Sequence, residues 1–487
     1  MAVRRLVALV ALTTGAALYL AWLKQPCQVD DSMIYLRYAR NLLEGRGWVY
    51  NPGEWVDGAT STGNTLLLTL ASWLSGGRYE LAQVLLFGLG VGATGTFTFL
   101  LFSARGWVAA IVACACVMSL PYLYWLIGMD APLILGFATA ATWCYTRRRF
   151  KLCAILLAAL CLTRGDGVVL ATTICVHYLW TQPKSQWREF GFALLLFVVP
   201  LLTWATISWS LFGSFVPKTL GAKLAQTESG LHGEGWIFVK NVVGQLGNFA
   251  NIRLDKPWNT VWQVGFISLG AVGSAVALAR RHPCWPLVVF GLGQSTLYAV
   301  LNLPNYLWYY IPLNLTLTLG IAVIVEVLWH QRAVARTVAA CLVIGYLYPV
   351  APSPIVVRDA NALHYKSVSY YPHYASLAKS LRERFPEGAS IACAEIGVLG
   401  YELENWRIID MWGLVTKGGV DAMSRGDFAW WFRETEPDFV LFHNPFWRGP
   451  ELAVASLTDF HAKYELFEER SHPDPLKRLL LMRRKKK

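Results

Sequence analysis

Apolar runs separated by short charged turns fill the first 350 residues of the chain. A helix of about 20 apolar residues is long enough to cross the hydrocarbon core of a bilayer, and many of these runs approach that length. Arginine and lysine are grouped in the turns, as at 147–149 and 280–281, which is typical of loops on the cytoplasmic side. The pattern predicts an all-α polytopic membrane protein.

The charges in the turns also predict the sidedness of the chain. Arg4 and Arg5 precede the first apolar run, so the N-terminus is expected in the cytoplasm. A count of about eleven spans keeps nearly every arginine group on the inner side. The stretch 64–74 is apolar but short, and we expect it to dip into the membrane from the outer side. The predicted spans are 6–23, 81–103, 107–127, 131–145, 152–162, 168–180, 190–212, 261–279, 286–301, 311–328 and 338–350.

From about residue 351 the composition becomes that of a soluble domain. The apolar spacing at 374–384 predicts an amphipathic helix, and the runs 390–394, 439–443 and 479–482 predict short strands. We therefore expect a transmembrane domain over residues 1–350, with a first outer loop at 24–80, and a small C-terminal α/β domain over 351–487. The span count places this C-terminal domain on the outer side.

Composition narrows the classes of function. The chain is 55% apolar, with a mean hydropathy of +0.40, which is too apolar for an ordinary soluble enzyme. The net charge of +12 lies in the turns, so no nucleic-acid partner is expected, because a basic stripe needs a soluble face to present it. Most of the ten cysteines lie in apolar runs without zinc-ligand spacing, and the histidines are scattered, so neither residue type predicts a metal site.

The first outer loop carries the most distinctive pattern. Two adjacent carboxylates, Asp30 and Asp31, follow the first span, and apolar residues then alternate with Arg37 and Arg40. This spacing predicts an amphipathic helix in the membrane interface, with its basic side chains toward the lipid headgroups. A glycine-rich turn bearing Glu54 comes next. A carboxylate beside an interfacial helix suits an enzyme whose substrate is partly lipid.

The adjacent carboxylates are the strongest catalytic candidates in the sequence. Like charges this close raise one pKa of the pair, which suits a general base near neutral pH. We expect Asp30 to take a proton from an acceptor hydroxyl. Asp31 would orient the acceptor, or join Asp130 around a divalent cation if the site uses one. The alternative is that both carboxylates are simply hydrated in an exposed loop.

Further polar residues fall at the outer ends of the predicted spans, where such groups are costly and often functional. Asp130 is either a helix cap or a substrate-binding residue. Arg164 either forms a structural salt bridge with Asp166 or meets an anionic substrate. Lys218 and Lys223 run against the cytoplasmic bias of positive charge, and lysine is a compact partner for phosphate.

An aromatic run at 306–310 lies at the outer end of another predicted span. It is either an interfacial aromatic belt or part of the substrate site, with Tyr309 as the substrate-binding candidate.

The stretch DDSMIYLRYARNLLEGRGWVYNPGEWVDG, residues 30–58, resembles the first outer loop of GT-C-fold glycosyltransferases that use polyprenyl-phosphate sugars. It is most similar to the arabinofuranosyltransferase branch, which includes the mycobacterial terminal cell-wall enzymes and the pilin arabinosyltransferase of pseudomonads. The resemblance continues through IGMDAP at 127–132, LTRGDG at 162–167, FGSFVPKTLGAKL at 212–224 and AEIGVLGYELENWRIIDMWGLV at 394–415. It thus covers most of the chain in the right order.

The resemblance implies a multi-pass enzyme of the bacterial inner membrane, with its active site facing the periplasm. The implied donor is decaprenyl- or undecaprenyl-phosphoryl arabinose, which delivers D-arabinofuranose to a hydroxyl of a pilin or of a cell-envelope glycan. A related enzyme for mannose or aminoarabinose is the near alternative, and a membrane transporter the distant one.

The resemblance, carried over residue by residue, implies roles for individual residues of this sequence. The catalytic base of the family falls on Asp30, and the acidic position after Gly-Met falls on Asp130. Lys223 matches the family, whereas the Pro-Asn-Thr of many relatives is Pro217-Lys218-Thr219 here. The expected ligands of the donor phosphate are Lys218, Lys223, Arg164 and Arg37. The expected substrate-binding residues are Asp130, Asp166, Tyr309 and Glu54.

Overall fold

The computed structural model describes residues 3–24, 29–120, 123–183, 185, 187–215, 219–230, 236–247, 256–347, 370–472, 474 and 477–486. Up to residue 347 the described secondary structure is helical, and its helices follow the apolar runs of the sequence. The helices are α1 (Val3–Lys24), α2 (Asp31–Leu43), α3 (Thr62–Leu74), α4 (Tyr79–Phe102), α5 (Trp107–Met118), α6 (Ala131–Thr146), α7 (Phe150–Thr163), α8 (Val168–Thr181), α9 (Trp187–Phe212), α10 (Thr219–Glu228), α11 (Ile237–Gly247), α12 (Lys256–Ala279), α13 (Trp285–Val300), α14 (Ile311–Trp329) and α15 (Ala333–Leu347).

Among the described residues, five helical stretches are long and apolar enough to cross a membrane. These are Arg4–Trp22, Tyr79–Arg105, Trp107–Trp125, Trp187–Phe212 and Leu307–Trp329. Shorter apolar helices lie at Phe150–Thr163, Gln263–Ala279 and Ala333–Ile344. A helical membrane protein is the result, as predicted, and the count of about eleven spans stays a prediction. The last predicted span, 338–350, lies partly outside the described residues.

Two predicted segments, 64–74 and 107–127, each contain a helix in the structure. The stretch 64–74 forms α3, whose Ser61 cap accepts the backbone N–H of Asn64. Thirteen helical residues rise about 20 Å, less than the hydrocarbon core, which agrees with a segment that does not cross. The predicted span 107–127 corresponds to the apolar stretch Trp107–Trp125, within which α5 ends at Met118. Pro121 follows in the sequence, and proline disfavours helical backbone at the residue before it.

Close helix packing places the start of α6 beside the first outer loop. A Cβ built on Gly90 of α4 would lie 2.7 Å from the carbonyl oxygen of Pro132, so only glycine lets these helices approach. Just before α6, the side chain of Asn64 donates to the carbonyl oxygen of Gly128 at 3.2 Å. These contacts fix Asp130, the last residue before α6, in the outer part of the helical bundle.

The described C-terminal segment, residues 370–486, contains a five-stranded sheet in the order β2-β1-β3-β5-β4. Strands β1 and β2 are parallel, as are β1 and β3, whereas β5 is antiparallel to both β3 and β4. All three predicted strand positions fall within strands of this sheet. Its elements are α16 (Tyr371–Arg384), β1 (Ser390–Cys393), α17 (Gly397–Glu402), β2 (Arg407–Asp410), α18 (Gly419–Met423), α19 (Trp430–Thr435), β3 (Phe439–Asn444), α20 (Pro450–Ala455), α21 (Thr458–Lys463), β4 (Tyr464–Arg470) and β5 (Arg478–Arg484).

Helix α2 joins the two parts of the molecule, and the prediction that its basic side chains point toward lipid headgroups is wrong. All residues from Ser32 to Ala39 are buried, including Arg37, which is 1% exposed. The polar face of α2 is covered by the C-terminal segment rather than by headgroups. Arg40, for example, donates to the carbonyl oxygen of Tyr401 at 3.0 Å and pairs with Glu404 at 2.8 Å.

Candidate active site

A cavity of about 510 Å³ lies where the first outer loop, α10 and the 306–308 segment meet the C-terminal segment. Its wall combines acidic groups with many aromatic rings, a mixture that suits a polar ligand with an apolar face. The polar lining residues are Asp30, Asp31, Lys223, Gln226, Glu395 and Asp410, and the aromatic ones are Trp125, Tyr306, Trp308, Tyr370, Tyr371, Tyr374, Trp412 and Trp447.

Asp30 lies between α1 and α2 and is held by the C-terminal segment. Its Oδ2 accepts the backbone N–H of Gly397 at 2.6 Å, and its Oδ1 accepts that of Val398 at 2.7 Å. Burial, the neighbouring carboxylate of Glu395 and that of Asp31 raise its pKa well above the ordinary value, although the two backbone donors act in the opposite direction. Asp30 is thus a cavity residue that also fixes one wall of the cavity.

Asp31 is the first residue of α2, where the positive end of the helix dipole favours a carboxylate. Within the described part of the chain its carboxylate makes no hydrogen bond or ion pair. Its negative charge contributes to the raised pKa values of both Asp30 and Glu395, and the three residues line the same cavity. Of the two carboxylates predicted to be catalytic, Asp31 is therefore the one whose oxygens are available to a ligand.

Lys223 brings a positive charge to the same cavity. It lies on α10, and its Nζ is 3.9 Å from the ring centroid of Tyr306, whose hydroxyl donates to Gln226 at 2.9 Å. Across the cavity, burial raises the pKa of Asp410 to about 7, while the N–H groups of Trp412 and Leu414 and the charge of Lys223 act in the opposite direction. Lys218, the other predicted lysine, lies outside the described residues.

Asp130, Arg164 and Asp166 are brought together, but they form a buried cluster that does not line the cavity. Arg164 Nη1 lies 3.6 Å from Asp130 Oδ2, and Arg164 Nε lies 3.1 Å from Asp166 Oδ2. The hydroxyl of Tyr298 accepts from Arg164 Nη2 at 2.9 Å and donates to Asp166. Two carboxylates therefore already compensate the charge of Arg164, so the cluster leaves little free positive charge for a phosphate.

Tyr309 belongs to this cluster as well. Its ring lies 4.8 Å from the guanidinium carbon of Arg164 and edge-on to Tyr298, and it is 6% exposed. A buried ring of this kind does not fit an interfacial belt. In the same run, Tyr306 and Trp308 stack at 4.7 Å and line the cavity.

Two predicted site residues, Arg37 and Glu54, lie away from the cavity lining. Arg37 donates to the carbonyl oxygens of Tyr50 at 2.7 Å, Gly400 at 2.5 Å and Trp406 at 2.9 Å. A guanidinium surrounded by backbone acceptors is a structural anchor, so the structure does not support its assignment to the donor phosphate. Glu54 pairs with Arg407 at 2.5 Å, again between the first loop and the C-terminal segment.

The described residues contain no group of three or more His, Cys, Asp or Glu side chains placed to hold a metal ion. Asp130, one of the two expected ligands, faces Arg164 instead. Asp31 lines the cavity and Asp130 does not, so the two carboxylates do not fit the expected shared cation site.

Comparison with solved structures identifies the architecture. ArnT from Cupriavidus metallidurans in the apo state matches over 99% of this chain and 98% of its own, with a TM-score of 0.57 and 15% identity. The same protein bound to undecaprenyl phosphate matches over the same shares of both chains, with a TM-score of 0.53 and 13% identity. The arabinofuranosyltransferase AftD from Mycobacteria matches 98% of this chain and 40% of its own, with a TM-score of 0.51 and 13% identity. This chain has the GT-C fold.

Sequence comparison adds a local match within the GT-C fold. A segment of 47 residues, 10% of this chain and 8% of the relative, is 51% identical to a terminal β-(1→2)-arabinofuranosyltransferase of Mycobacterium tuberculosis (strain ATCC 25618 / H37Rv). Residues 362–481 match a family described as a domain of unknown function, DUF8728. The resemblance predicted from the motifs is confirmed, while the chain covers only a small share of that mycobacterial relative.

Several cavity residues were missed from the sequence. Glu395 and Asp410 line the cavity, and His443 contacts the lining residue Tyr374; all three lie at the carboxyl ends of the parallel strands β1, β2 and β3, two residues or fewer from the strand ends. Ligands of open α/β sheets bind outside the carboxyl ends of the strands, so acidic residues directly after the predicted strands were the available signal. That signal required the strands to be parallel, which short apolar runs do not reveal.

Proposed function

We propose that this chain is a membrane glycosyltransferase that moves a sugar from a polyprenyl-phosphate donor to an acceptor hydroxyl. The supporting observation is that Asp31, a carboxylate without a partner in the described chain, and Lys223 line one cavity at the edge of the helical bundle. A base for the acceptor and a cation for the donor phosphate are the two groups this transfer needs. The fold is shared with ArnT, which has been solved with undecaprenyl phosphate bound.

In the proposed reaction the acceptor hydroxyl gives its proton to a cavity carboxylate, and its oxygen bonds to the anomeric carbon of the sugar. The bond from that carbon to the phosphate oxygen breaks, and its electron pair stays on the leaving polyprenyl phosphate. The phosphate then gains negative charge, which Lys223 stabilises more strongly in the transition state than in the bound donor. Aromatic residues such as Tyr306 and Trp308 offer flat apolar surface to the sugar ring.

We propose that Asp31 rather than Asp30 is the general base. Both oxygens of Asp30 accept short backbone hydrogen bonds, which occupy the oxygens and restrain the side chain. Asp31 has neither restraint and lies in the same cavity. Asp30 then acts as a positioning residue that holds the wall carrying Glu395 against the first loop.

The sugar is proposed to be D-arabinofuranose, because the local sequence match is to an arabinofuranosyltransferase and AftD shares the fold. The proposed setting is the bacterial inner membrane with the cavity facing the periplasm, since arginine and lysine concentrate in the turns of the other face. A pilin or an envelope glycan would supply the acceptor hydroxyl.

The proposal is tested with the purified chain in nanodiscs and a panel of polyprenyl-phosphoryl donors carrying arabinose, mannose or aminoarabinose. Release of polyprenyl phosphate is measured with and without Lys223→Gln. Consumption of the arabinose donor alone supports the full proposal. Consumption of another donor keeps the transferase and replaces the sugar, whereas no release from any donor argues for a transporter.

A further inference from the structure

A line of hydrogen bonds leads from the cavity wall into the C-terminal segment. The hydroxyl of Tyr374 lies 2.6 Å from Glu395 Oε2 and 2.8 Å from His443 Nε2. His443 Nδ1 lies 2.6 Å from Glu451 Oε1. Glu395 and Tyr374 line the cavity, whereas His443 and Glu451 are 2% and 0% exposed. One end of this line is open to a ligand and the other is sealed.

The sealed end fixes the direction of the hydrogen bonds. Glu451 Oε2 accepts the backbone N–H groups of His443 at 3.1 Å and of Trp447 at 3.0 Å, so Glu451 is oriented as an acceptor. We therefore place a proton on His443 Nδ1, donated to Glu451 Oε1. The indole of Trp447 stacks on the imidazole at 3.7 Å and 4°, which holds the ring in this plane.

With that end fixed, the line has two arrangements that contain the same number of protons. In the first, protonated Glu395 donates to the Tyr374 oxygen, and the Tyr374 hydroxyl donates to His443 Nε2. In the second, Tyr374 donates to the Glu395 carboxylate, and His443, now protonated on both nitrogens, donates to the Tyr374 oxygen. The two differ only in whether one proton is at the cavity wall or on the buried imidazole.

We propose that Glu395, Tyr374, His443 and Glu451 form a proton relay that takes up the acceptor's proton during the transfer step and returns it to the open cavity after the product has left. The inference rests on the proposed transfer reaction, which releases one proton per sugar. That proton passes from Asp31 to Glu395, and as Glu395 gives it to the Tyr374 oxygen, Tyr374 gives its own to His443 Nε2. Asp31 is left as a carboxylate, and the imidazolium is balanced by Glu451. Once the product has left, the proton returns along the same line to Glu395 and leaves through the open cavity, which resets the relay for the next acceptor.

The electrostatic surroundings agree with transient protonation of Glu395. Burial raises its pKa, and so do the charges of Asp31 and Glu451, whereas His443 and the Tyr374 hydroxyl act in the opposite direction. Asp30 faces Glu395 from the first loop, and burial raises the pKa of each of these two carboxyl groups. The other titratable side chain packed on the imidazole is Tyr370, at 4.9 Å between ring centroids.

A double-substitution experiment tests the relay without relying on sugar transfer. The full chain in nanodiscs is labelled with ¹⁵N-histidine, and the His443 signals are assigned by their loss in His443→Gln. At pH 7 the ring-nitrogen shifts report the fraction of His443 that carries two protons. Glu395→Gln removes the proton source and is expected to lower that fraction. In the Tyr374→Phe background, which lacks the connecting hydroxyl, Glu395→Gln is expected to lower that fraction much less, because only the through-space charge interaction between Glu395 and His443 remains. An equal change in both backgrounds, or none in either, would overturn the relay.

Activity supplies the second readout, with a matched control. Tyr374→Phe is expected to lower the turnover number roughly 10- to 100-fold and to change its pH profile. Tyr401→Phe removes a tyrosine–glutamate hydrogen bond of the same kind, 2.8 Å to Glu80, outside the cavity lining, and is expected to keep wild-type activity. If the histidine coupling is found but no donor is consumed, the transfer reaction is wrong; if donors are consumed without the coupling, the relay is wrong.

Discussion

Asp30 accepts a 2.6 Å hydrogen bond from the backbone N–H of Gly397, which lies 367 residues later in the chain. This bond joins the loop after the first helix to the segment that carries Glu395, and the cavity lies between the two. The first outer loop is therefore not a free surface loop but one half of the candidate active site. The predictions below separate residues that build this junction from residues that face the ligand.

Gly397→Ala should break the junction. A Cβ at this position would lie 1.8 Å from the carbonyl oxygen of Asp30 and 2.8 Å from its Oδ2, so the two segments must move apart at a cost of about 3 kcal/mol. We expect a lower melting temperature and at least a tenfold loss of transfer activity. Gly191→Ala is the matched control, because its Cβ would meet open space. Equal melting temperatures for the two variants would show that the junction is not tight.

Arg37→Lys should act on stability rather than on donor binding. Lysine cannot reproduce the fork of donors that reaches Tyr50, Gly400 and Trp406, and it leaves buried carbonyl oxygens unpaired. We expect a loss of about 3 kcal/mol in thermal or denaturant unfolding. Arg46→Lys, at a side chain that is one-third exposed, should unfold like the wild type. If Arg37→Lys unfolds like the wild type but has a raised KM for the lipid donor, Arg37 binds the donor phosphate and the structural assignment is wrong.

Lys223→Gln should weaken the handling of the donor phosphate. Loss of one charged contact to the leaving group is expected to lower kcat/KM for the lipid donor roughly 10- to 100-fold. Lys223→Arg should restore part of the loss because it keeps the charge. Lys151→Gln removes an equivalent charge at the start of α7, outside the cavity lining, and should have no effect. An unaffected kcat/KM in Lys223→Gln would exclude the lysine from the site.

Asp57→Asn should change how stability depends on pH. Burial raises the pKa of Asp57 to about 7, and the indole N–H of Trp48 acts more weakly in the opposite direction. The folded wild type therefore binds a proton that the unfolded chain releases near pH 4, and its stability falls as the pH rises from about 4 to about 7. Asparagine removes this loss, which is on the order of 4 kcal/mol above pH 7. Melting curves of both proteins at pH 4.5 and pH 8 should differ at pH 8 far more than at pH 4.5; parallel curves would contradict the prediction.

The adjacent carboxylates could be found from the sequence because they follow an apolar run directly, where their position does not depend on distant contacts. Three of the five strands of the C-terminal segment, β1, β3 and β5, were also predictable, since short apolar runs bounded by polar residues give a local signal. The division of roles between Asp30 and Asp31 was not predictable. It depends on two N–H groups of α17, at Gly397 and Val398, that reach only one of the two side chains.

Long-range contacts explain the other differences between sequence and structure. Arg37 has the spacing of an exposed basic residue on an amphipathic helix, but its partners are backbone carbonyl oxygens, which have no sequence signature. Tyr374, Glu395 and His443 are far apart in the sequence and meet only because α16 packs beside the parallel strands β1 and β3. A pattern of single residues cannot encode that arrangement.

The most direct test of the account compares Asp31→Asn with Asp30→Asn in nanodiscs. Both are examined for polyprenyl phosphate released from the donor that the wild type consumes, and for thermal unfolding. The account predicts that Asp31→Asn melts like the wild type but loses at least a hundredfold in release, because the base is gone. Asp30→Asn should instead lower the melting temperature and retain more activity than Asp31→Asn. Full release by a normally folded Asp31→Asn protein would contradict the central claim.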